Sequence, residues 1–72
     1  MKNKEAFTEI LNFTIQKIND SEYGYYFSWW LRVDFAGKYS TAKINYELNK
    51  AISKGLLVCE KFNYGIKYSL PN

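Results

Sequence analysis

Histidine is absent from this chain, and cysteine and proline occur once each. Without histidine, the usual general base at neutral pH and the commonest metal ligand are missing. A lone thiol, Cys59, can form neither an internal disulfide nor a thiolate zinc site. In its apolar run it reads as core packing in a reducing compartment. Asp34, Glu47 and Glu60 fall in separate segments, and no glycine-rich phosphate loop occurs. The expectation is a protein that is not an enzyme and holds no metal or other cofactor. Long apolar runs are lacking too, and none reaches membrane-spanning length. The start, Met1-Lys2-Asn3-Lys4-Glu5, does not lead into the apolar run and cleavage site of a signal peptide. A cytoplasmic protein with no membrane partner is expected.

What the chain does have is aromatic side chains. It holds 72 residues, 47% hydrophobic and 19% aromatic, which argues for a folded single domain over residues 1–72 rather than disorder. A core this small leans on dense packing or on a partner subunit. The net charge of +3 is uneven: residues 1–37 carry four basic and five acidic side chains, whereas residues 38–72 carry six lysines against Glu47 and Glu60. A basic half points equally to a phosphate partner and to a solvated lysine surface. A membrane surface fits less well, because these lysines do not share one amphipathic helix with a large apolar face.

Residues 4–19 read as a helix, with Phe7, Ile10, Leu11, Thr14 and Ile18 on one face. Glu5 and Glu9 near its start and Lys17 near its end suit the helix dipole. Phe13 and Ile15 fall beside that stripe, facing a second chain in this reading. Residues 22–36 support two periods. Tyr23, Tyr25, Phe27, Trp29, Leu31, Val33 and Phe35 alternate as a strand would, while Tyr26, Trp30 and Val33 would line a helix. A short strand over residues 25–27 followed by a helix over residues 29–36, capped by Ser28, reconciles both. After Gly37, residues 41–54 form the clearest helix, with Ser40 as N-cap and Gly55 beyond its end. Its inward face is Thr41, Ile44, Leu48, Ala51 and Ile52. Residues 56–62 and 66–70 then read as a hairpin around Asn63-Tyr64-Gly65.

The spacing Ile44-x3-Leu48-x2-Ala51-x3-Gly55-Leu56-Leu57-Val58, closing on Gly65-Ile66-Lys67-Tyr68-Ser69-Leu70, resembles the recognition helix and wing of winged helix-turn-helix proteins, most of all the PadR and MarR types of bacterial regulator. The resemblance covers about the last 33 residues. It implies a small α+β winged helix-turn-helix fold: three helices, a C-terminal β-hairpin wing and a short strand near residues 25–27. It also implies a small repressor-like regulator, of bacterium, phage or mobile element, that puts residues 41–54 into the major groove of double-stranded DNA. At about 100° per residue, the face opposite Ile44, Leu48 and Ile52 holds Ala42, Lys43, Tyr46, Asn49 and Lys50. Asn45 stands at its edge. Asparagine can pair with adenine and lysine with guanine acceptors. Ser40 and Thr41 lie at the entering end. Lys38, Lys50 and Lys54 suit phosphate contacts, and Lys61, Asn63, Tyr64 and Lys67 flank the wing tip.

Each of these residues also has an ordinary explanation. Lysine and asparagine are common on exposed helix faces, and Lys61 and Lys67 could simply guard a sheet edge. Trp29, Trp30 and nearby tyrosines could stack on bases, although such clusters are more often core or protein interface. Two functions therefore compete. One is a DNA-binding homodimer joined through the first helix and the aromatics of residues 23–30. The other is a protein-binding module, in the style of small phage inhibitors of a host protein, that uses Phe13, Tyr23, Tyr25, Tyr26, Trp29 and Trp30.

Overall fold

The first helix, α1, is Lys2–Asp20. The computed structural model describes residues 2–71, with side chains from Glu5 onward; Met1 and Asn72, the two ends of the expected 1–72 domain, lie outside the described residues. Ala6, Ile10, Leu11, Thr14 and Ile18 recur at helical spacing and form the buried face of α1. Phe7, expected in that stripe, is only half-buried, and the smaller Ala6 takes the inward place. Thr14 is fully buried, and its hydroxyl donates to the Ile10 carbonyl at 2.8 Å, so its polarity is absorbed within the helix. Phe13 and Ile15, beside that face, are half-buried. Both pack against this chain's own core, and the Phe13 ring lies 4.8 Å from that of Phe35.

The doubly periodic segment divides as expected into a strand and a helix: β1 (Tyr25–Phe27) and α2 (Ser28–Asp34). The cap differs from the expectation. Phe27 holds the N-cap position without a side-chain hydrogen bond, and Ser28 is already helical. The Ser28 hydroxyl oxygen is taken by a long-range partner, the Ile66 N–H at 3.1 Å. The helix also stops short of Ala36, because Phe35 leaves helical geometry and Gly37 turns with a positive φ of 83°.

The third helix, α3 (Thr41–Ser53), matches its expected bounds closely, but Thr41, expected inward, is exposed in the first turn, and Glu47 joins Ile44, Leu48 and Ala51 on the buried face. The Ser40 side chain accepts from the Lys43 N–H at 3.1 Å. At the other end Gly55 adopts φ 78°, the Gly55 N–H reaches the Ile52 carbonyl and the Leu56 N–H reaches the Ala51 carbonyl. That pair of bonds is the Schellman arrangement. The hairpin strands are β2 (Val58–Phe62) and β3 (Gly65–Ser69), each displaced by a residue or two from the expected bounds.

The three strands form one antiparallel sheet in the order β1, β3, β2. The architecture is thus α+β, three helices with a three-stranded antiparallel sheet. Tyr26, Tyr68 and Cys59 share a register row that faces the core. Tyr68 is fully buried there among Ile10, Leu31, Ile44, Leu48 and Leu57. Burial, and then the neighbouring Cys59, push its phenol up to about 12. Cys59 packs against the same core, as its apolar run suggested. Phe27, Lys67 and Glu60 share the adjacent row, which faces away from the core.

One close approach ties α2 to the hairpin. A Cβ on Gly65 would stand 2.6 Å from Cε3 of Trp29, and Gly65 has φ 151°. Only a residue without a side chain lets the indole lie on this turn. Gly65→Ala is therefore expected to destabilise the fold by about 2 kcal/mol and to shift tryptophan emission, measured by denaturant unfolding. Unfolding indistinguishable from the parent chain would contradict this packing.

Candidate functional site

Three elements meet at a cleft of about 270 Å³. α2 contributes Ser28 and Arg32, α3 contributes Thr41 and Asn45, and the hairpin contributes Tyr64, Gly65 and Ile66. Ser28 and Ile66, both in its lining, are hydrogen-bonded to each other, and the Trp29 ring against Gly65 fixes the hairpin's distance from α2. Arg32 is exposed and has no ion-pair partner among the described residues. Lys61 pairs in register with Ile66, so it leaves β2 on the same face of the sheet as this cleft-lining residue. It too is exposed and lacks an ion-pair partner among the described residues.

Beside the cleft, α3 exposes Thr41, Ala42, Tyr46 and Asn49, while Asn45 is half-buried in the cleft wall. Two of the residues assigned to the reading face behave otherwise. Lys43 and Lys50 turn onto the buried Glu47 carboxylate at 2.7 and 3.0 Å. Their ammonium groups are the polar partners of Glu47 among the described residues. Lys43 also lies over the Tyr46 ring, and Lys50 over the rings of Tyr46 and Phe7. Burial pushes the Glu47 carboxyl up, but hydrogen bonds and charge from Lys43 and Lys50 outweigh it and hold the pKa below its ordinary value. Both ammonium groups are thus engaged within α3, and Glu47 cancels one of their two charges, leaving the triad a net +1. The i, i+4 and i, i+3 spacing of Lys43, Glu47 and Lys50 was a readable signal for this triad.

The other assigned residues scatter. The Ser40 hydroxyl is committed to its cap. Lys38 pairs with Glu9 at 2.6 Å, and the Tyr39 hydroxyl donates to the same carboxylate at 2.7 Å. These partners lower the Glu9 pKa, but the pair is solvent-exposed and easily exchanged. Lys54 is exposed at the far end of α3. Asn63 and Tyr64 form the exposed hairpin tip. Lys67 is not brought to the cleft: it lies on the opposite face of the hairpin from Lys61, 3.3 Å from Glu60 and over the Tyr25 and Phe62 rings.

The aromatics assigned to an interface also divide. Tyr26 turns inward against the core, and its hydroxyl donates to Asp34. Trp30 packs on Tyr26 and remains partly exposed. Tyr23, Tyr25 and Trp29 join Phe27, Phe62 and Tyr64 in a continuous run of ring contacts. Arg32, absent from the sequence assignment, was hidden because the doubly periodic segment gave it no defined face. Compared with known proteins, the chain matches no family model, no curated protein and no solved structure. No helix among the described residues is long and apolar enough to cross a membrane.

The Glu47 triad sets an acid dependence. A carboxyl whose folded pKa lies below its unfolded value stabilises the fold fully above the unfolded value, and that contribution is lost as pH falls through the folded value. Stability is therefore expected to fall on acidification below the ordinary value of 4.5. Glu47→Gln should lower stability at neutral pH by about 1–3 kcal/mol and flatten that acid limb. Denaturant midpoints across an acidic pH series read both effects, and parallel curves for parent and variant would contradict them.

Proposed function

We propose that this chain is a winged-helix domain that binds double-stranded DNA as a small regulator, with α3 in the major groove and the β2/β3 hairpin as the wing. The observation that carries this reading is the cleft where α2, the start of α3 and the hairpin converge around Arg32. The element order and the sheet order β1, β3, β2 support it, because a short helix and a turn precede α3, a hairpin follows it, and the hairpin tip shares the cleft with the start of α3. A major groove admits a helix of this kind. Asn45 and Asn49 could pair with adenine, and the methyl groups of Thr41 and Ala42 could meet thymine methyls. The reading makes the chain a binding protein rather than an enzyme.

The cations sort differently from their sequence assignment. Arg32, Lys54 and Lys61 are exposed and free of ion pairs among the described residues, so these three take the phosphate contacts. Arg32 is best suited, since a guanidinium binds a phosphate through two donors at once. Lys43 and Lys50 are held on Glu47, so they are not counted as phosphate contacts, although the triad keeps a net charge of +1.

The number of free cations sets a measurable slope. With three phosphate contacts, log affinity against log salt should fall with a slope of about −3 per chain. Arg32→Ala should reduce that slope by about 1 and weaken all duplexes alike. Asn49→Ala should weaken a preferred site by about 1–3 kcal/mol, whereas Lys43→Ala should leave the slope nearly unchanged. Anisotropy titrations of random and selected duplexes at several salt concentrations measure all three. An absence of binding to any duplex at low salt would refute the reading.

A further inference from the structure

We infer that the outer face of the sheet is a homodimer interface, on which a second copy of this chain packs face to face. Of the fourteen aromatic residues, only Phe35 and Tyr68 are buried in the core. A large share of the rest gathers on one surface. Tyr25 and Phe27 from β1 and Phe62 from β2 all point away from the Tyr68 row, and Tyr23, Trp29 and Tyr64 extend the same run. Tyr23 and Tyr64 are 73% and 66% exposed, and Val58 on the same face is 46% exposed, so the patch is both apolar and open. Contiguous apolar surface of this kind marks a contact site, with tyrosine and tryptophan the usual anchors.

Charge decides among occupants. The centre of the face carries one cation and one anion side by side, Lys67 and Glu60, at 3.3 Å. A two-fold interface must be complementary to itself. A patch bearing one charge of each sign meets that condition: the two pairs can exchange partners across the axis while the rings around them exclude water. Single-stranded nucleic acid suits the face poorly, because it needs a cationic track and open ring faces. Here the lysine is already neutralised. The Phe27 and Trp29 rings stack on each other at 4.3 Å, and those of Phe62 and Tyr64 at 5.2 Å. The free cations Arg32 and Lys61 lie elsewhere, at the cleft or on its side of the sheet.

The charge pair also supplies the test. Sedimentation velocity over a concentration series should show the parent chain in monomer–dimer exchange. Lys67→Glu leaves only anions at the centre of the face, and Glu60→Lys leaves only cations. Each variant alone should raise the dimer Kd about tenfold or more. An equimolar mixture of the two should dimerise again, because each chain then supplies the sign the other lacks. The double exchange Lys67→Glu with Glu60→Lys should dimerise like the parent. Circular dichroism of each variant confirms folding, and recovery in the mixture cannot come from a fold that has been lost. A parent chain that stays monomeric up to millimolar concentration would overturn the inference. So would a dimer that neither charge variant weakens. Quenching of tryptophan emission by a short single-stranded oligonucleotide, abolished by Lys67→Glu, would put nucleic acid on the face instead and overturn it as well.

Discussion

The clamp between the start of α2 and the hairpin is the contact on which the other features depend. Ser28 accepts the Ile66 N–H, and one residue later the Trp29 indole closes on Gly65. Ser28, Gly65 and Ile66 of this clamp line the cleft, while Trp29 belongs to the aromatic run through Phe27 and Tyr64. A hairpin of two five-residue strands has little stability alone. Here it is held by β1 along one edge of β3 and by α2 at its tip, so its position relative to α3 is set by side chains rather than by the loop that connects them.

That arrangement separates two kinds of surface. On the cleft side stand Arg32, Asn45 and Lys61, polar or cationic and little engaged with one another. On the outer side stand rings that already touch one another around one internally neutralised lysine. Lys61 and Lys67 are six residues apart and close in register, yet they belong to opposite sides because strand side chains alternate. In the proposed reading polyanion binding falls to one face and self-association to the other, with Tyr64 at the hairpin tip bordering both.

Much of the fold was legible in the sequence because its signals were local. Ser40 and Gly55 bracket α3 through backbone bonds that span only a few residues, and the Asn63-Tyr64-Gly65 turn marks the hairpin in the same way. The segment 22–36 was half legible: both periods were real because the strand and the helix were both there. What the sequence concealed was set by distant partners. Ser28 looks like a cap, but its acceptor is used by Ile66, 38 residues away. Lys43 looks like a reading residue, but the buried Glu47 carboxylate draws it down. Of the candidate site, the exposed positions Ala42, Tyr46 and Asn49 could be read from helical phase, whereas Thr41, assigned inward by the same phase, is exposed at the start of α3. Charge counts could not show that Lys38, Lys43, Lys50 and Lys67 have internal ion-pair partners, and Arg32 went unseen because its cleft exists only once the hairpin folds back.

The central claim is that two opposed faces, divided by the α2 and hairpin clamp, carry different partners. Backbone amide shifts in a nuclear magnetic resonance titration with duplex DNA test it most directly. The account expects the largest changes at Arg32, Thr41, Ala42, Asn45, Asn49 and Ile66, with Tyr25, Phe27, Phe62 and Lys67 nearly unmoved. Changes centred on Tyr25, Phe27 and Lys67 while α3 stays silent would contradict it.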